Sequence, residues 1–402
     1  MIDSDFMHSA QDAAPSISVE CILVADDLTG ACDTGVQFVR RGLSCRVQLA
    51  PPKHPAVPVA DILAFNTNSR GDLPGHCERK IEKLAIACSG SKANVVFKKV
   101  DSTLRGNVGQ EIGAALRAFH CDAAIIAPAY PAMGRVVREG SLHWTDDSGS
   151  GQVEICRLLA EHGVCPEKLA LIDPKNREFD SFVSELDAYL AHGKQFIVVN
   201  GESDDELGLL VAAARRLRRR FLWAGSAGLG GALADAIGKP QSNEPVFARK
   251  EAPIIFVIGS THSATLRQRR TLQARMNAVE VVPAPDAITT ARRTLSDRRH
   301  LVLSIDDGNL DVQLLHDFLA ELKSLPVAAI FFTGGDTGAS LCHAISAGAI
   351  DLRGEISEGF PWGTFVEGMF SGLPMACKSG GFGDSDALVC CARFFSSSAT
   401  HE

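Results

Sequence analysis

Short continuous apolar runs recur along the chain, each closing on a polar or glycine-rich turn and followed by a helical pattern. The clearest are CILVA (21–25), ILAFN (62–66), NVVFKKV (94–100), AAIIAP (123–128), QFIVVN (195–200) and FLWAG (221–225). Because they do not alternate, they predict strands buried on both faces, as in a mostly parallel sheet covered by helices. The helical stretches carry their own signals. GQEIGAALRAFH sets Ile112, Ala115, Leu116 and Phe119 on one face. SDDELGLLVAAARRLRR opens on a Ser203 cap with Glu206 three residues on, the capping-box pattern, and its first-turn acids and last-turn arginines suit the helix dipole.

The stretch 237–253, IGKPQSNEPVFARKEAP, is polar, carries three prolines and has no periodicity. It marks a domain boundary. Beyond it the β/α rhythm restarts with IIFVIGS (254–260), HLVLSID (300–306) and VAAIFFTGGD (327–336), and the last segment holds short turn-rich strands before a final helix. The expected fold class is therefore α/β in two domains, each with a mostly parallel sheet flanked by helices. The expected divisions are a disordered tail at 1–18, an N-terminal domain at 19–240, a linker at 241–252 and a C-terminal domain at 253–402.

A length of 402 residues agrees with two cores rather than one. The formal charge of −8 offers no general attraction to nucleic acid or an anionic membrane, and the basic run RRLRRR (215–220) reads as the solvated end of a helix. The twelve cysteines are scattered, with no C-x-x-C pair and no metal-ligand spacing, which suits reduced, mostly buried thiols and a cytoplasmic location. The first eighteen residues lack the pattern of a secretory signal, and no apolar stretch reaches the length of a membrane span.

Ligands of open parallel sheets bind beyond the carboxyl ends of the strands. In the first half those ends carry Asp26-Asp27 with Thr29, Gly30 and Asp33, then Asn66 to Arg70, then Lys98-Lys99 leading into Asp101, Ser102, Thr103 and Arg105, then Tyr130 with Gly134-Arg135. Asp27 also reads as a helix N-cap and Arg70 as a surface ion pair. KKVDSTLRGN is harder to assign to structure alone, because two lysines, an aspartate and an arginine crowd the end of one apolar strand. Cations here suit a small anionic ligand, and the acids suit its hydroxyls or a metal ion.

The second half has a different accent: GSTHSAT (259–265), TGGDTG (333–338) and KSGGFGD (378–384). Ser, Thr and Gly at strand-to-helix turns let backbone N–H groups approach phosphate oxygens at a helix N-terminus. Their alternative reading is a tight turn that needs glycine for backbone reasons. There is no G-x-x-x-x-G-K-[ST] loop and no protein-kinase signature. AGSAGLGGALADA (224–236) lacks dinucleotide spacing and reads as close helix–sheet packing, and His262 is a candidate ligand neighbour.

In combination, VADDLTGACDTGVQF, NTNSR, KKVDSTLRGNVGQE, APAYPAMGR, FTGGDT and KSGGFGD resemble the four-carbon acid sugar kinases, in the same order and over residues 20–395. The resemblance implies an N-terminal sugar-acid-binding domain, a C-terminal nucleotide-binding domain and an active site in the cleft between them. It implies ATP-dependent phosphorylation of the 4-hydroxyl of a tetronate, with D-threonate or D-erythronate ahead of the 3-oxo-tetronate and L-threonate alternatives. Mg²⁺ would accompany ATP, its protein ligands remaining open. Carried across by motif, the nucleotide side falls on Ser260, Gly334, Gly335, Asp336, Thr337, Gly380 and Gly381. The substrate side falls on Asp26, Arg70, Lys98, Ser102, Arg105 and Tyr130, and the catalytic carboxylate on Asp27 or Asp101. The expected partners are a sugar acid and ATP, with neither nucleic acid nor membrane; a homodimer is the candidate assembly. Two rivals of other classes are an NAD(P)-dependent hydroxy-acid dehydrogenase, which NAD(P)H rather than ADP would stabilise, and a non-catalytic sugar-acid sensor, which would release no ADP.

Overall fold

The computed structural model describes residues 17–49, 60–146, 149–240, 249–305 and 311–396. The expected tail up to residue 16 and positions 241–248 of the expected linker lie outside the described residues.

The apolar runs of the first half become β1 (Ile17–Ala25), β2 (Cys45–Gln48), β3 (Ile62–Asn66), β4 (Ser91–Lys99) and β5 (Ala123–Ala127). A ribbon follows, made of β6 (Arg135–Arg138), β7 (Ser141–Asp146) and β8 (Gly149–Glu154), and then β9 (Leu169–Ile172), β10 (Phe196–Val199) and β11 (Phe221–Gly225). The second half contributes β12 (Ile254–Ile258), β13 (Val279–Val281), β14 (Leu301–Ser304), β15 (Ala329–Thr333), β16 (Ala349–Glu355), β17 (Pro361–Val366) and β18 (Pro374–Lys378). The continuous runs β5, β10, β11, β12 and β15 are buried along their whole length, as expected for parallel strands covered on both faces.

All but the ribbon join one fifteen-stranded sheet in the order β13-β14-β12-β15-β18-β17-β16-β2-β3-β1-β4-β11-β5-β10-β9. The eight first-half strands pair in parallel, and so do β13, β14, β12, β15 and β18. An antiparallel stretch joins the two: β18 to β17, β17 to β16, and β16 to β2, with Ile350 opposite Val47. The halves thus meet edge to edge, and the bidentate pair of Arg46 with Asp351 (2.6 and 2.8 Å) lies across that seam.

The helix Leu28–Val39 explains the sequence after β1. All of its residues but Val39 are buried, because it packs on the first-half sheet and also against β16, β17, β18 and the helix Gly335–Ala344. A helix wedged between two bodies has little room for side chains. A Cβ on Gly35 would lie 2.7 Å from Cys45 Sγ and 2.9 Å from Leu352 Cδ1. The glycines that weaken its intrinsic propensity are therefore what lets it sit there.

The helix Asp204–Arg216 follows its sequence signals closely. Ser203 Oγ accepts from the Glu206 N–H, while Glu206 reaches back to the N–H of Glu202, one residue before the cap. Among the described residues, no helix is long and apolar enough to cross a membrane.

Candidate active site

β1 and β4 end side by side and deliver their acids to one place. Asp27 is the N-cap of Leu28–Val39: Oδ1 accepts from the Gly30 N–H (2.7 Å), and Oδ2 accepts from the Thr29 hydroxyl (2.9 Å) and from Arg70 Nη1 (2.9 Å). The capping reading and the site reading of Asp27 are thus compatible. Arg70 turns its Nε and Nη2 onto the two oxygens of Asp26 (2.8 and 2.9 Å), and its Nη1 also lies 3.4 Å from Asp101. Asp101 receives Arg105 in a second fork (2.8 and 2.8 Å) and the Thr103 hydroxyl (2.6 Å).

These partners set the charge states. Burial alone would raise the carboxyl of Asp26, but the Arg70, Lys98 and Lys99 charges outweigh it and hold it below its usual range. For Asp101 the burial penalty is overcome by the Arg105 hydrogen bond and by the charges of Arg70 and Arg105, leaving it well below the carboxylate range. Arg70 is raised: the charges of Asp27, Asp26 and Asp101 exceed the cost of burying it.

The second-half turns face this cluster. β15 runs into Gly334, whose φ of +92° only glycine adopts without strain, and the helix Gly335–Ala344 starts there with Asp336 in its first turn. The Gly335 backbone lies so close to the Asp27 side chain that a Cβ on Gly335 would lie 2.5 Å from Asp27 Oδ2. The helix Ser263–Met276 starts on His262, whose Nδ1 accepts from the Ala264 N–H (3.2 Å). The KSGGFG turn lies beside it, and a Cβ on Gly380 would meet Ser260 Oγ at 2.3 Å. Lys378 holds this turn from beneath, its buried Nζ donating to Thr265 Oγ1 (3.0 Å) and to the carbonyls of Ser379 (3.1 Å) and Gly380 (3.0 Å). Burial without a carboxylate partner pushes this lysine down to about 7.

Between the two walls lies a cavity of about 570 Å³. It brings together Asp27, Arg70, Asp101, Ser102 and Arg105 from the first half with Ser260, Gly334, Gly335, Asp336, Thr337, Gly380 and Gly381 from the second. Three of the expected residues do not line it. Lys98 is fully buried, with Nζ 2.8 Å from Glu111, which in turn accepts from the Ser69 hydroxyl. Asp26 is covered by Arg70. Tyr130 points away, donating its hydroxyl to Glu358 Oε1 at 2.6 Å.

The cavity also takes in Arg135, Trp144, Asp146, His262 and Phe382. Arg135 is among the strand-end cations expected from the sequence and His262 the expected ligand neighbour, whereas Phe382 lies in the KSGGFGD turn with no part assigned to it. Trp144 and Asp146 belong to β7, and the short alternation in RVVREGSLHWTD was the available sign of that ribbon. In AGSAGLGG, a Cβ on Gly228 would lie 2.6 Å from the Ala129 carbonyl and one on Gly230 2.7 Å from Thr34, so these glycines serve close packing.

Comparison with known proteins adds ancestry to this geometry. Residues 21–233 match the family model described as a sugar-binding N-terminal domain, and residues 255–388 match the one described as a nucleotide-binding C-terminal domain. The D-threonate kinase of Salmonella typhimurium is 29% identical over 94% of this chain and 98% of its own. That of Bordetella bronchiseptica is 31% identical over 92% of this chain and 96% of its own. A solved Salmonella typhimurium structure described as a putative tRNA synthase superposes with a TM-score of 0.76 at 17% identity, covering 94% of this chain and 99% of that one. At that identity the likeness is one of fold alone. The model matched over more than half of the residues, and the relative matched along almost the entire length, show that the chain belongs to the four-carbon acid sugar kinase family.

Proposed function

We propose that the chain is an ATP-dependent kinase that phosphorylates the 4-hydroxyl of D-threonate or its epimer D-erythronate. The observation that carries this reading is the contact between Asp27 and Gly335, which sets a carboxylate of the first half against the N-terminus of a second-half helix. A hydroxyl acceptor on one side and a phosphate on the other would meet there.

The second-half wall fits a phosphate chain. Backbone N–H groups open at Gly335–Thr337, while that of Gly334 donates to the Lys378 carbonyl, and any side chain on Gly335 or Gly380 would fill the space. Ser260, Gly334 to Thr337, Gly380 and Gly381 would hold ATP. Among the described residues, no group of three or more His, Cys, Asp or Glu is placed to hold a metal ion. Mg²⁺ would therefore be held mainly by the phosphates, with Asp27 or Asp336 as the carboxylates in reach, the usual habit of this ion at nucleotide sites. When bound, ATP with Mg²⁺ supplies the transferable phosphoryl group.

Of the two candidate bases, Asp27 fits better. Asp101 is held by a bidentate arginine and kept strongly ionised, so it would orient Arg70 and Arg105 rather than take up a proton. Arg105, whose side chain is 69% exposed, and Ser102 would meet the substrate's carboxylate and hydroxyls. Lys98 acts at one remove, through Glu111 and Ser69, on the segment that carries Arg70.

The test is ADP release on addition of ATP, Mg²⁺ and each four-carbon sugar acid in turn. Turnover should be greatest with D-threonate or D-erythronate. Absence of ADP release with every four-carbon acid would contradict the proposal.

A further inference from the structure

Three arginines line the cavity among the described residues: Arg70, Arg105 and Arg135. Arg70 spends its Nε, Nη1 and Nη2 on Asp26 and Asp27, and Arg105 spends its fork on Asp101. Arg135 is different. Its side chain is only 6% exposed, Nη1 donates to the Met133 carbonyl (2.6 Å), and Nη2 stands 3.6 Å from Asp146, too far for a hydrogen bond. Its Nε, also buried, has no hydrogen-bond partner among the described residues. A buried guanidinium with an open donor is costly unless something else satisfies it. Burial holds its pKa below the ordinary arginine value even with Asp146, Asp101, Asp33 and Tyr130 nearby.

Its position narrows the choice of anion. Arg135 starts β6 on the first half, yet its guanidinium carbon lies 5.3 Å from the centre of the Phe382 ring, in the turn that carries Gly380 and Gly381. It therefore reaches across the cavity to the phosphate wall. The carboxylate of a four-carbon acid is separated from the 4-oxygen by the length of the molecule, and the exposed Arg105, with its Nη1 left over from the Asp101 fork, stands on the substrate wall to receive it.

We propose that Arg135 is a catalytic residue that donates to the phosphoryl group in flight and neutralises its charge; this rests on the kinase reading above. Asp27 takes the proton of the 4-hydroxyl as that oxygen bonds to the γ-phosphorus and the bond to the β-phosphate oxygen breaks, ADP leaving with the electron pair. Arg135 supplies its fork to the equatorial oxygens during that exchange, the part a transition-state arginine plays in other phosphoryl transfers.

The experiment compares wild type, Arg135→Met and Arg135→Lys in steady state with ATP and D-threonate. A calorimetric titration of ADP, with and without aluminium fluoride as a mimic of the transferring group, gives a second readout. We expect kcat of Arg135→Met to fall on the order of a hundredfold or more, with KM for D-threonate within about threefold of wild type. ADP alone should bind as in wild type while the aluminium fluoride complex weakens by a similar factor. Arg135→Lys, which keeps the charge without the fork, should lose at least about tenfold in kcat, and it decides the question if the Met variant does not fold. A raised KM with kcat retained would assign Arg135 to the sugar-acid carboxylate and overturn the proposal, as would unchanged binding of the fluoride complex. Wild type inactive on every four-carbon acid would instead defeat the kinase reading itself.

Discussion

At the scale of single residues, the two aspartates that the sequence leaves equivalent are separated by their partners. Asp27 caps a helix and abuts Gly335, whereas Asp101 is the anchor of two arginines. Asp27→Asn keeps the cap acceptor and removes the base, so kcat should fall about a hundredfold or more with a small change in stability. Asp101→Asn frees Arg105 and Arg70, and should act mainly by raising KM for the sugar acid. Steady-state kinetics of the two variants checks this, and the reverse pattern would exchange their roles. Strand ends alone pointed to Asp27, Arg70, Asp101 and Arg105. They could not tell that Lys98 turns inward, because its partner Glu111 comes from a different element, the helix Val108–Ala118. The orientation of Tyr130 is hidden for a similar reason: Glu358, far along the chain, holds its hydroxyl.

At the scale of elements, the parallel strands were legible because a strand buried on both faces leaves an unbroken apolar run. The β6–β8 ribbon was not, since its alternation is short and it joins no strand of the main sheet. It nevertheless delivers Arg135, Trp144 and Asp146 to the cavity. The glycine turns are legible as strand-to-helix turns, but the approach of one to Asp27 depends on two elements from opposite halves. Gly335→Ala puts a methyl group into the Asp27 carboxylate. Turnover should drop at least about tenfold, while the melting temperature changes by a few degrees only. Unchanged kcat in that variant would mean that the close contact is not used.

At the scale of the whole molecule, the edge-to-edge pairing of β16 with β2 and the wedged helix Leu28–Val39 make the seam a part of the core. Nothing in the local pattern of CRVQ (45–48) announces that it will pair with a strand some three hundred residues later. Asp33 sits in this seam with Oδ1 buried and without a hydrogen-bond partner among the described residues, and burial raises its pKa to about 6. Between the unfolded value near 4 and the folded value near 6 the native state holds the proton more tightly, so stability from this group is lost as pH rises through that window. Asp33→Asn should therefore gain about 1–3 kcal/mol at pH 8 and much less at pH 4, a difference that melting curves at the two values would register. An equal effect at both would contradict the buried-charge account.

On the proposed reading, the cavity between the halves moves a phosphoryl group from ATP to the end hydroxyl of a four-carbon acid. Nuclear magnetic resonance of the product formed from ATP, Mg²⁺ and D-threonate or D-erythronate tests it most directly. A phosphorus signal coupled to the two protons on carbon 4 should appear in step with ADP. A phosphate coupled to carbon 2 or 3, or ADP formed with inorganic phosphate and no phosphorylated acid, would contradict it.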